Sequence, residues 1–122
     1  MTAHRLLVLM SGLMIVVTSS VLAVTPPGNP MHGQKLYKQH CLRCHGAKLD
    51  GNGPDADSLR VRPTNFHTYL TLARGTRELE EALRQGRNFT PMHAWDPVLT
   101  DQEVYDLVAY IRSEVPPLEV KP

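Results

Sequence analysis

The chain is short of what marks several protein classes. Two cysteines in 122 residues leave a structural zinc site two thiols short of four, and the histidines are not at zinc-finger spacing. Neither charge dominates: 13 Lys and Arg face 12 Asp and Glu. There is thus no basic excess to attract nucleic acid and no long acidic run to keep the chain unfolded. No internal repeat signals a solenoid. Beyond the first residues no stretch alternates as a strand would, so the fold class reads as all-α. No β-α-β pattern precedes the cysteines, which deprives a thioredoxin-like dithiol of its usual setting.

The N-terminus reads as a segment for export. His4 and Arg5 give a positive start, Leu6 to Val17 are apolar apart from Ser11 and Gly12, and Val21-Leu22-Ala23 places small residues where a signal peptidase cuts. Residues 1–23 are therefore expected to be a secretory signal, removed after Ala23. The alternative is a retained anchor, because residues 6–24 are 19 in number, just enough to cross a bilayer. Cleavage leaves residues 24–122, with 12 basic against 12 acidic side chains: one small domain.

Near the start of that domain stands Cys41-Leu42-Arg43-Cys44-His45. Two thiols three apart with a histidine after the second form a c-type haem attachment site. Each sulfur adds across one porphyrin vinyl group, two residues span the gap between vinyls, and His45 is brought beneath the iron as its proximal ligand. A disulfide between the same cysteines would leave His45 without a task. The motif occurs once, so one haem c is expected, held through Cys41 and Cys44. Bacteria attach such haem outside the cytoplasm, which agrees with export to the periplasm. A domain of about 100 residues is marginal on its own apolar burial, and without the porphyrin a large void would weaken it.

Four further segments punctuate the domain. Asn29-Pro30 opens a helix running to about Cys41, with Asn as cap and Pro at the first helical position. Gly33 within it invites the close passage of another helix. Asp50-Gly51-Asn52-Gly53-Pro54 and Arg62-Pro63-Thr64-Asn65-Phe66 form a long irregular loop, suited to wrapping a cofactor edge, with Phe66, Tyr69, Leu70 and Leu72 as packing candidates. Thr76 is expected to cap a helix to about Gln85, ended by Gly86, its charges forming a solvated face. Thr100 with Glu103 makes a capping box before the apolar stripe Val104, Leu107, Val108 and Ile111, which Pro116-Pro117 ends.

The haem motif followed by Gly46, the segment Pro91-Met92 with Trp95 after it, and the capped terminal helix resemble the monohaem class I cytochromes c, from about Pro30 to Glu114. The resemblance implies a small all-α cytochrome c fold, its N- and C-terminal helices crossing at Gly33 and Tyr110 around the haem. It implies that Met92 is the second axial ligand, a soft thioether that raises the reduction potential relative to a second imidazole. His93, which stands where the family more often has a small or apolar residue, and His67 are the competing ligands. In the family the proximal histidine donates to a proline carbonyl; Pro54 and Pro63 both compete for that place. Trp95 either donates to a haem propionate or packs on the ring, and Asn65 either orients the methionine side or caps a turn.

The function implied is one-electron transfer without substrate chemistry, so the chain is not expected to be an enzyme. Redox proteins would dock transiently at an exposed haem edge, and membrane contact would come only through them unless residues 6–24 persist as an anchor. Two alternatives stay open: an electron-relay subunit of a larger redox enzyme, and a haem-based gas sensor whose distal ligand departs.

Overall fold

The computed structural model describes residues 27–118; the expected signal and anchor lie outside them. Among the described residues five helices follow in order: α1 (Pro30–His40), α2 (Leu42–His45), α3 (Tyr69–Leu72), α4 (Thr76–Gln85) and α5 (Asp101–Glu114), with a 3-10 turn at Ala56–Ser58. Among the described residues there is no strand, and the fold is all-α with its N- and C-terminal helices in contact.

Local chemistry explains where the two long helices begin. Asn29 Oδ1 accepts from the backbone N–H groups of Met31 and His32 at 3.0 and 3.3 Å, satisfying donors that have no intrahelical partner. Thr100 and Glu103 complete the reciprocal capping box at the start of α5. Helix α4 departs from expectation: Gly75 occupies its cap position and no side chain bonds there, so Thr76 is simply its first residue.

Helices α1 and α5 meet where α1 has no side chain. A Cβ on Gly33 would stand 1.9 Å from the backbone oxygen of Asp106 and 2.9 Å from Tyr110 Cβ. Only glycine lets the two backbones approach so closely. Beside this crossing the Tyr37 and Tyr110 rings lie 5.3 Å apart, and the Tyr37 hydroxyl donates to the Gly46 carbonyl at 2.8 Å in the interior. The predicted stripe of α5 is the core: Val104, Leu107, Val108 and Ile111 are all buried, with Leu36, Leu83, Leu99 and Phe66 against them.

Buried in the same face is a carboxylate. Asp106, 3% exposed, accepts from Asn29 N–H at 2.7 Å and Gln102 Nε2 at 2.9 Å, and lies 2.7 Å from His32 Nδ1. It thereby ties α5 to the first turn of α1, where a negative charge also suits the helix dipole. Burial alone pushes the Asp106 carboxyl up, but bonds from Asn29, His32 and Gln102 outweigh it and hold the group below the usual carboxylate range.

Two expectations about packing fail. Tyr69 and Leu70 are 73% and 71% exposed, because α3 is a single turn that directs only Leu72 inward. The charged face of α4 is not wholly solvated either. Arg84 Nη1 donates to Asp101 at 2.5 Å and Asp96 at 3.4 Å, and its guanidinium lies 5.6 Å from the Tyr105 ring centre. One cation thus clamps α4, the following loop and α5 together.

Candidate haem site

The attachment motif continues directly from α1. Cys41 ends that helix and Leu42–His45 form the next turn, a helix too short to satisfy its own carbonyls. The glycine loop does so instead. The backbone N–H groups of Asp55, Gly53 and Gly51 donate to the carbonyls of Arg43, Cys44 and His45 at 2.9, 3.1 and 2.9 Å. Gly51 reaches this position at φ 77°, a region that disfavours residues with a Cβ. The Arg43 side chain points outward and grips Asp55 through two bonds of 2.8 and 3.0 Å. This brace was not foreseen from the sequence, although the Asp-Gly-Asn-Gly spacing marks a turn able to supply it.

Both thiols are free, Cys41 buried and Cys44 partly so. Burial, and then the neighbouring Cys44, pushes the Cys41 thiol up to about 12. The setting, a helical turn continuing from α1 rather than a strand-to-helix junction, is not that of a thioredoxin-like dithiol.

The opposite wall comes from the loop between α4 and α5, which closes on itself. Arg87 N–H donates to the Met92 carbonyl at 2.8 Å, Thr90 bonds back to the Arg87 carbonyl, and Met92 N–H donates to Thr90 Oγ1 at 3.2 Å. Beyond it Trp95 and Asp96 donate to the carbonyls of Leu83 and Arg84 at the end of α4. Met92 is half-buried against the core. His93, exposed, turns Nδ1 to the Ala94 carbonyl at 2.8 Å and stacks on Trp95 at 4.3 Å.

Between the walls lies a cavity of ≈ 320 Å³, within the range of small-molecule sites. Cys41, Cys44, His45 and Met92 all border it, and Leu79, Leu83, Ile111 and Phe66 give it an apolar lining. Two thiols, the imidazole of His45 and, on the other loop, the thioether of Met92 beside the imidazole of His93 border one mainly apolar cavity, a donor set that suits a covalently held haem. The residues present fit the group, and Cys41 and Cys44 are spaced for its covalent attachment.

The remaining predicted residues separate. His45 Nδ1 lies 3.3 Å from the carbonyl of Thr64; neither Pro54 nor Pro63 holds that place. Pro63 borders the cavity but Pro54 does not, because the brace on the attachment turn carries Pro54 outward. Burial pushes the His45 imidazole below its usual range, with the Thr64 carbonyl partly opposing, which favours the neutral ring a metal needs. Asn65 does not border the cavity. Its amide oxygen accepts from His67 N–H at 2.8 Å, the turn-capping alternative. His67 is also outside, its Nε2 2.7 Å from the Lys48 carbonyl, whereas His93 borders the cavity beside Met92. Trp95 borders the cavity with its ring 5.2 Å from His40, and its Nε1 is buried without a partner among the described residues.

Comparison with known proteins agrees with this geometry. Residues 28–111 match the family model described as cytochrome c oxidase, cbb3-type, subunit III. The solved KustC0563 c-type cytochrome is similar at 33% identity and TM-score 0.54, the match covering 67% of this chain and 95% of that one. Cytochrome c-555 of Prosthecochloris aestuarii is 29% identical over 69% of this chain and 86% of its own. The dihydro-heme d1 dehydrogenase of Pseudomonas aeruginosa is 35% identical over 71% of this chain, which spans only 16% of that protein. With a haem-attachment turn, a facing methionine loop and a family match over most of its length, this chain belongs to the cytochrome c oxidase, cbb3-type, subunit III family and is a c-type haem-binding protein related to the cytochromes c.

Proposed function

We propose that this chain is an electron-relay domain that passes single electrons inside a larger redox assembly. The observation that carries the reading is the one cavity bordered by both thiols, His45 and Met92. Bound haem c would supply a one-electron iron couple there. The chain's part is to fix the surroundings of that couple so that little rearrangement accompanies electron gain. His45 would bind through Nε2 while Nδ1–H donates to the Thr64 carbonyl, the orientation that metal-bound imidazoles favour. Met92, held by the closed loop from Arg87, would be the second residue to hold the group. Held by both His45 and Met92, the group would serve electron transfer, and the chain itself would make and break no substrate bonds.

Two findings favour a relay within an assembly. The matching family is described as an oxidase subunit, and in the Pseudomonas aeruginosa relative the matching stretch is a small part of a dehydrogenase. A free class I carrier, exported and acting in the periplasm after loss of residues 1–23, is the second reading. It is favoured by the near-complete coverage of cytochrome c-555. Gentle isolation from the native membrane and periplasmic fractions separates the two: the relay reading expects co-migration with a larger haem protein, and a lone small haem protein would refute it.

The ligand set is tested on the purified protein. Mass spectrometry should show one haem on the chain, and the oxidised protein should show the weak sulfur-to-ferric-iron absorbance. Met92→Ala should abolish that band and lower the potential. Its persistence would remove Met92 from the site, and rapid carbon monoxide binding to the reduced wild type would favour the gas-sensor alternative.

A further inference from the structure

We propose that Phe89, with the arginines about it, is the anchor on which a partner protein docks, and that the partner meets it with an apolar pocket rimmed by carboxylates. The inference rests on the relay reading above and names the surface and the kind of partner that a relay needs.

Phe89 is placed against the ordinary rules for a large apolar side chain. It is 90% exposed, more than any other large hydrophobic residue described. Its backbone is left-handed at φ 62°, where a bulky residue is a genuine outlier. The loop is nonetheless fixed. The N–H and hydroxyl of Thr90 both donate to the Arg87 carbonyl, at 3.2 and 2.9 Å, and the Phe89 carbonyl accepts from Arg60 Nη2 at 3.4 Å. Strain kept in a hydrogen-bonded loop points to function, and aromatic rings on rigid supports are what interface anchors are made of.

The surroundings give the chemistry of the partner. Phe89 stands beside the haem cavity, where two loops meet: Arg87 and Thr90 of its own loop border the cavity, and so do Val61 and Arg62 next to Arg60. Arg60, Arg62, Arg74 and Arg87 are all exposed. Among the described residues Glu78 is the one acid on the cavity border, and Asp57 pairs with Arg62. The excess is local, because the whole chain holds 13 Lys and Arg against 12 Asp and Glu. Such a face opposes a second copy of itself by like charge and suits carboxylates, which the arginine fork receives in pairs. The cofactor's own carboxylates do not explain Phe89, an apolar ring outside the cavity lining. Phe89 shares its loop with Met92, so a partner seated there lies close to the proposed ligand.

The test uses the haem-loaded full chain with Phe89→Asn and Phe89→Tyr. Asparagine tolerates the left-handed backbone and so removes the ring while keeping the loop; tyrosine keeps the ring. The probe is native membranes, with vesicles of their extracted lipid as the protein-free control. One-electron exchange with the membranes is followed in both directions by haem absorbance, against chain concentration and salt. Phe89→Asn should raise the half-saturating concentration by about tenfold or more, as loss of an interface anchor does. Its midpoint potential, its sulfur-to-iron band and its rate with ferricyanide should stay at wild-type values, and Phe89→Tyr should behave as wild type throughout. The wild-type rate with membranes should fall as salt screens the arginines. An unchanged half-saturating concentration in Phe89→Asn would overturn the proposal. So would a shifted midpoint or band, which would mean that the ring acts through the Met92 loop. A rate indifferent to salt would remove the acidic partner. Binding to the protein-free vesicles that Phe89→Asn abolished would make lipid the occupant and overturn the proposal too. A wild-type chain that exchanged no electron with the membranes would refute the relay reading itself, and this proposal with it.

Discussion

Gly33→Ala sets two physical effects against each other. Helix propensity alone says that alanine stabilises a helix interior by up to about 1 kcal/mol relative to glycine. The crossing says the reverse, because the added carbon would stand 1.9 Å from the Asp106 carbonyl oxygen. Restoring an ordinary carbon–oxygen contact of about 3.3 Å requires α1 and α5 to part by roughly 1.5 Å. The atom struck is backbone oxygen within α5, so it cannot rotate aside as a flexible side chain would. Overpacking of this kind costs about 1–3 kcal/mol, occasionally more, and a rigid obstacle argues for the upper end. Set against the propensity gain, a net loss of about 2 kcal/mol is expected. For a domain of this size that lowers the melting temperature by about 8–16 °C.

Thermal unfolding of the haem-loaded variant, followed by far-ultraviolet circular dichroism, measures it. Gly75→Ser serves as the control, since a Cβ at Gly75 meets nothing within 4 Å and serine there gives α4 the cap it lacks. That variant should melt at or slightly above the wild-type temperature, gaining a few tenths of a kcal/mol. If Gly33→Ala melted no lower than wild type, the close crossing would not be what requires glycine at this position.

The remaining expectation concerns Asp106. Asp106→Asn replaces an acceptor-only group by one that cannot satisfy Asn29, His32 and Gln102 together, and should cost about 1–3 kcal/mol by denaturant unfolding. Because the folded carboxyl is held below its usual range, its contribution is full above the unfolded value of about 3.9. That contribution is lost as pH falls through the folded value. The stability difference between wild type and Asp106→Asn should therefore shrink on acidification from neutral pH to below pH of about 3; a constant difference would refute the assignment.

What was legible in the chain divides by range. Caps are local chemistry, so Asn29 and the Thr100–Glu103 pair could be read directly, and the one glycine in α1 announced the crossing. The haem motif was equally plain because three bonds come from five consecutive residues. Closure of loops was not legible. The carbonyl opposite His45 belongs to Thr64 rather than a proline, a matter of how nineteen residues fold back. Thr76 looked like a cap but the chain enters α4 one residue earlier. Tyr69 and Leu70 looked like core, yet one isolated helical turn cannot bury three sides. Asp106 and Arg84 escaped notice because both read as ordinary surface charges on amphipathic helices. An acid beside Leu107 and Val108, on the face shared with Val104, was the available hint.

The three amides that brace the attachment turn have a consequence for how this chain tolerates change in length. Gly51, Gly53 and Asp55 meet His45, Cys44 and Arg43 in reverse order, like the rungs of a ladder laid between two short rails. Losing or gaining one residue between Gly51 and Asp55 would put the rungs out of step with one another, and loosen the turn that carries the thiol and imidazole. Among the described residues the span from Arg60 to Arg62 makes no such backbone bond. Family members that differ in size are thus expected to absorb the difference there, while the stretch from Gly51 to Asp55 keeps its length.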